Sequence, residues 1–184
     1  MGEAIEQLKK EHEAIKKMLL ILEKVCEKIE KGEKVHSKHL TQILEFFKIF
    51  ADKCHHGKEE EILFPSLEYA GIPKEGGPLG VMLNEHELMR GYVRGWEGAF
   101  ENYQKGDPEA PKKILQFAVP YISTLRLHID KENNVLFRMA EMHLSIEEEK
   151  ELMERFEKTE IEKIGKGKHE EFHRVLEHLE EIYL

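Results

Sequence analysis

The sequence predicts an all-α protein: an antiparallel, up-down four-helix bundle with two extra C-terminal helices. Two observations predict it. Apolar residues recur at helical spacing along most of the 184 residues, and no segment alternates as a strand does. The chain also repeats itself. "HHGKEEEILFP", beginning at His55, returns as "HIDKENNVLF", beginning at His128; His55, Lys58, Glu59, Leu63 and Phe64 thereby match His128, Lys131, Glu132, Leu136 and Phe137 without a gap. "KKEHEAIKKML" around His12 is matched by "LNEHELMRGYV" around His86, at an offset one residue longer. Two copies of a helix pair give four helices, and short connections make neighbours antiparallel.

The first helix is expected from Glu3 to about Lys31, with Ile5, Leu8, Ile15, Leu19 and Leu22 on one face and Gly32 as its stop. The second follows a Ser37 N-cap and carries Leu40, Ile43, Phe47 and Ala51 down to His55; Pro65 is expected to bend or end it. "AGIPKEGGPLG", Ala70 to Gly80, reads as the loop between the repeats. The third helix runs to about Lys105. "GDP" at Gly106 to Pro108 stops it and opens the fourth, with Asp107 as cap and Pro108 in the first turn. That helix reaches about Met142 and takes Pro120 as a kink. Ser145 caps a fifth helix, "GKG" at Gly165 to Gly167 breaks it, and a sixth finishes the chain. Residues 1–184 thus read as one domain: a metal-binding bundle over 1–142 and a C-terminal helical extension, 143–184, outside the repeat.

Charged residues make up 35% and hydrophobic ones 40%, a globular composition. The net charge of −9 argues against nucleic acid or an anionic membrane as partner. No apolar run approaches the ~20 residues that span a bilayer, and the start, "MGEAIEQLKKEH", lacks the apolar core of a signal peptide. The expectation is a cytoplasmic protein. Cys26 and Cys54 are too few for a disulfide framework and form no CxxC, so a metal would be held mainly by nitrogen and oxygen.

Residues four apart share a helix face, so His55 with Glu59, and His128 with Glu132, can each hold one metal ion. Phe47, Ala51 and Leu63 continue the first stripe; Phe117, Tyr121, Leu125 and Val135 continue the second. His12 lies between Leu8 and Ile15, and His86 between Met82 and Met89. All six groups therefore point inward. A single histidine on an apolar face is more often a satisfied core residue, and a single H-x-x-x-E is often plain helix support. Duplication at matching offsets weighs for metal. Six buried ionisable groups cost several kcal/mol each unless a cation satisfies them. With two divalent ions, each half offers two imidazoles and a carboxylate. If both glutamates bridge, room remains for a bridging oxo or hydroxo group and an exogenous ligand. Such donors favour iron, then manganese, then zinc. His56 and Glu60 form a second H-x-x-x-E, rotated by about 100°. Because the repeat places Ile129 and Asn133 there, His56, Glu60 and Glu61 are expected on a solvated or supporting face. His36, His39, His143, His173 and His178 are expected at the surface, His169 near the bundle mouth, Cys54 as a small buried hydrophobe, and Tyr92, Tyr103 and Tyr121 as candidate donors near the site.

These segments resemble the signatures of the hemerythrin-like, or HHE cation-binding, domain family over residues 1 to about 142. The resemblance implies a four-helix bundle around a non-haem di-iron centre, with His12, His55, Glu59, His86, His128 and Glu132 as ligands. It also likens the last two helices to a tail found in prokaryotic members. Oxygen-carrying members have two histidines four residues apart on the third helix. Here Met82 and Arg90 occupy the positions four away from His86, so the set resembles instead that of iron–sulfur cluster repair proteins and of members that react with oxygen, peroxide or nitric oxide. The function implied is a di-iron protein binding or turning over such small molecules, supplied by an electron donor. The alternative is an iron sensor or store without catalysis.

Overall fold

Helix α1, Glu3–Glu30, sets the frame of the structure, a computed structural model that describes residues 2–184. Ala4, Ile5, Leu8, Ile15, Met18, Leu19, Leu22 and Val25, at three- and four-residue spacings, are wholly buried. Its N-cap, Gly2, has no side chain to offer the orphan amides. Glu149 of α7, Ile146–Lys163, serves instead, accepting from the Ala4 and Ile5 amides at 3.1 and 3.4 Å.

The second rod is continuous from α2, Ser37–Glu45, through two π-helical stretches, Phe46–His56 and Glu59–Leu63, into α3, Phe64–Tyr69. Its cap is His36 and not Ser37: the His36 ring accepts the Lys38 amide at 3.2 Å. Pro65 does not end the helix. It falls in the first turn of α3, just where bonding returns from the i→i+5 to the i→i+4 pattern and a missing donor is tolerated.

Helix α4, Pro78–Gln104, and the fourth rod, α5 Ala110–Lys131, a π-helical stretch Glu132–Leu136 and α6 Phe137–His143, repeat the arrangement. Helix α5 starts later than expected. Asp107 accepts the Glu109 amide at 2.9 Å in a turn ahead of the helix, and Pro111 takes the first-turn place foreseen for Pro108. Pro120 lies inside α5, which continues through it. The short π stretches begin at repeat-matched residues, Glu59 and Glu132, although only the first is followed by proline. They belong to the repeat and not to Pro65. The stripe after Glu132 runs through buried Leu136, as Leu63 does after Glu59, while Val135, expected on that face, is 51% exposed.

Ser145 and Glu148 form the reciprocal cap of α7, and Gly165 and Gly167, at φ +102° and +80°, turn the chain into α8, Lys168–Tyr183. Both helices pack against α1 and the second rod. No strand occurs among the described residues, and no helix is long and apolar enough to cross a membrane.

The apolar core is divided in two. One cluster holds Ile15, Leu19, Phe47, Trp96 and Leu125; the other holds Leu8, Leu63, Phe64, Leu136 and Phe137. On α1 the break falls between Leu8 and Ala14, at Glu11 and His12. A polar layer crosses the bundle there.

Candidate metal centre

Four rods contribute to that layer. His12 comes from α1, His55 and Glu59 from the second rod, His86 from α4, and His128 and Glu132 from the fourth rod; each is at most 1% exposed. The structure brings all six predicted residues together. The imidazoles meet in pairs, His12 Nε2 to His55 Nε2 at 2.9 Å and His86 Nε2 to His128 Nε2 at 3.0 Å. The glutamates lie between the pairs. Glu59 has one oxygen 3.4 Å from His55 Nε2 and the other 3.4 Å from His86 Nε2. Glu132 has one oxygen 3.1 Å from His12 Nε2 and the other 3.2 Å from His128 Nε2. These approaches lack hydrogen-bond geometry, leaving all four buried carboxylate oxygens without a hydrogen bond.

The outer nitrogens explain which way the lone pairs face. His55 Nδ1 donates to Glu11 at 2.8 Å, His128 Nδ1 to Glu85 at 2.8 Å, His86 Nδ1 to Glu60 at 2.7 Å and His12 Nδ1 to the Asn133 side-chain carbonyl at 2.8 Å. Carboxylates only accept, so one proton sits on Nδ1 and Nε2 faces the layer, its lone pair free to bind metal once any proton there is displaced. Four nitrogen lone pairs and four carboxylate oxygens thus converge. That donor set fits cations.

The outer groups obey the same repeat. Lys58 Nζ donates to Glu11 at 2.6 Å, and Lys131 Nζ donates to Glu85. Glu60 and Asn133, matched in the repeat, hold the two unpaired-helix histidines. Sequence reasoning left the roles of Glu11, Glu85, Lys58 and Lys131 unassigned. Their signal was present: each glutamate immediately precedes its helix's histidine, and each lysine recurs in H-x-x-K-E.

Charge compensates within the layer. Burial is the largest influence on His128 and disfavours a proton there, but the charges of Glu132 and Glu59 and the contacts with Glu132 and Glu85 together lift that imidazole to about 10. His55 and His86 are raised in the same way, burial opposing and the neighbouring carboxylates together prevailing, Glu59 with Glu11 and Glu132 at His55 and Glu59 with Glu60 at His86. Burial also pushes the Glu11 carboxyl up, yet His55 and Lys58 hold it at about 2. Metal entering such a site displaces protons, because ligands bind deprotonated.

Of the solvated or supporting face expected for His56, the solvated one is ruled out, since the residue is 2% exposed and its ring stacks on His86. Its repeat partner Ile129 is 1% exposed, so neighbouring helices cover this arc in both halves. His56, Glu59, His86 and His128 offer ligand atoms within 4.8 Å of one another, as do His12, His55, Glu59 and Glu132. Glu61 is solvated and pairs with Lys163. His169 lies apart from the six, against Phe50 and near Glu11 and Glu160. His39 and His173 are half-buried, His39 bonding the Tyr183 hydroxyl at 2.8 Å. Tyr103 instead accepts the Val35 amide, at 3.4 Å. Tyr121 lines a cavity of about 170 Å³ that reaches His56 and His86 past Asp52, Met89 and Arg90. Cys54 is buried, as expected.

The family model for the hemerythrin HHE cation-binding domain matches residues 3–140. Uncharacterised proteins of Mycobacterium tuberculosis and Mycobacterium bovis are 25% identical over 164 residues, 89% of this chain. The chain spans 64% of the length of these relatives. No solved structure matches it significantly. The matched span contains every residue of the polar layer, and the chain belongs to the hemerythrin HHE cation-binding domain family.

Proposed function

We propose that this chain is a cytoplasmic di-iron protein that binds or reacts with dioxygen, peroxide or nitric oxide. His12 and His55 would hold one ion, His86 and His128 the other, and Glu59 and Glu132 would bridge. The observation that carries this reading is the pair of buried glutamates, each directing one unpartnered oxygen toward each histidine pair. Two irons held there would supply one-electron redox chemistry and positions for a small ligand. The chain's own residues do the rest. Glu11, Glu85, Glu60 and Asn133 fix ring orientation from outside. The apolar clusters lie on either side of the layer, and the cavity of about 170 Å³ beside His56 and His86 offers room for a small molecule.

The test is elemental analysis of protein made with ample iron, with an optical spectrum before and after azide. About two irons per chain and an azide-sensitive band are expected. Zinc, manganese or no metal would overturn the redox reading.

One observation favours a second reading, an iron sensor. His55 is joined to Glu11, Glu11 to Lys58, and Lys58 to Glu160 of α7 at 2.7 Å, a chain from the site to the C-terminal hairpin. Metal occupancy would then set how α7 and α8 dock. Equal melting temperatures of metal-free and iron-loaded protein would sink it.

A further inference from the structure

Helical spacing puts a square of side chains around each outer glutamate–lysine pair. In the first half Gln7 and Ala14 lie four before and three after Glu11, and Cys54 and Ile62 lie four on either side of Lys58. Helix α7 covers this square. Ala14, Cys54 and Ile62 are buried, the Lys58 ammonium stands 5.9 Å from the Phe156 ring, and Glu160 accepts its second bond at 2.7 Å. In the second half the matched positions around Glu85 and Lys131 are Val81 and Leu88 on α4, and Leu127 and Val135 on the fourth rod. Valine thus stands for Gln7, and leucine for Ala14 and Cys54. The square is the more apolar of the two, yet its four side chains are 47–63% exposed. A clustered apolar face of this kind marks a contact surface.

We propose that this face binds a second copy of the chain, in a twofold contact between the outer sides of α4 and the fourth rod. Asp130 decides the occupant. Its place in the first half belongs to Gly57, beside a lysine that draws its second carboxylate from α7. Lys131 pairs with Glu85 and with no further carboxylate among the described residues, and the exposed Asp130 next to it pairs with no cation there. A twofold contact uses the same patch on both sides, so it sets Asp130 of each copy against Lys131 of the other and closes leucine on leucine between them. The second copy then supplies what α7 supplies to Lys58, an apolar cover and a carboxylate. The patch is small and the net charge of −9 on each chain opposes association, so the contact is weak, with dimers at about 100 µM and single chains at about 1 µM.

Sedimentation of the full chain at those two concentrations tests it. The mass should rise from one chain toward two, and amide hydrogen exchange should slow across residues 127–135 as it does. Leu127→Asp should weaken association at least ten-fold, and so should Asp130→Lys, which sets like charges together. Leu20→Asp, the same change at an exposed site on α1, should leave association unaltered. Single chains at about 100 µM, a larger assembly, or a dimer that either Leu127→Asp or Asp130→Lys leaves intact would overturn the proposal. Should Leu127→Asp fail to fold, Asp130→Lys, at an exposed position, still decides. The contact needs no metal, so each result holds whatever ion the polar layer takes.

Discussion

Glu11 and Lys58 in the first half of the molecule, and Glu85 and Lys131 in the second, make the same contact in different surroundings. Each glutamate accepts from the paired histidine and from the lysine three residues after it. In the first half the two side chains are 2% and 1% exposed, and Lys58 also reaches Glu160 of α7. In the second they are 20% and 43% exposed. The duplicated sequence makes the interior alike; the single-copy hairpin α7–α8, packed on α1 and the second rod, makes the exterior unlike. His56 opposite Ile129 carries the inequality to the edge of the polar layer.

The largest effect should come from residues common to both halves. Glu59→Gln or Glu132→Gln is expected to deplete both metal positions, because each carboxylate faces both histidine pairs, whereas His12→Ala should deplete chiefly one. Elemental analysis of each variant checks this, and loss of a single ion from Glu59→Gln would break the bridging geometry.

The lysines test the halves against each other. Lys58→Met leaves Glu11 charged and buried, and should cost about 3–5 kcal/mol. Lys131→Met removes an exposed pair and should cost about 0–1 kcal/mol. Urea denaturation of metal-free protein measures both; equal losses would show that burial beneath α7 is not what separates them.

Acid should weaken the first half. Glu11 is held at about 2, below its ordinary 4.5, so in metal-free protein its stabilisation is present above pH 4.5 and lost as pH falls through 2. Glu11→Gln should flatten that limb of a melting-temperature profile. An unchanged acid limb would place its cause elsewhere.

The smallest effect concerns the thiols. Burial pushes both Cys26 and Cys54 up to about 12, so neither should react with a thiol reagent at pH 8 until the protein unfolds. Cys54 lies 4.0 Å from Glu160 of α7. Its selective reaction in metal-free protein, with Cys26 silent, would show that the hairpin lifts when the metal leaves.

Much of this molecule is present in one dimension. Helical spacing and duplicated offsets determine the bundle and the convergence of His12, His55, Glu59, His86, His128 and Glu132, because a polar residue recurring on an apolar stripe has nowhere to go but inward. Periodicity marks the centre of a buried face but not how wide an arc the neighbours cover. Spacing therefore left His56 open between a solvated and a supporting face, although Ile129 at the matched position already indicated a buried arc. Leu136, four residues after Glu132 as Leu63 is four after Glu59, takes the inner face in place of Val135, and Pro65 is tolerated where the π-helical stretch from Glu59 returns to ordinary helix. The burial of Lys58 was decided by α7 and α8 docking on one side only, since which helices touch depends on three-dimensional packing that no single helix encodes.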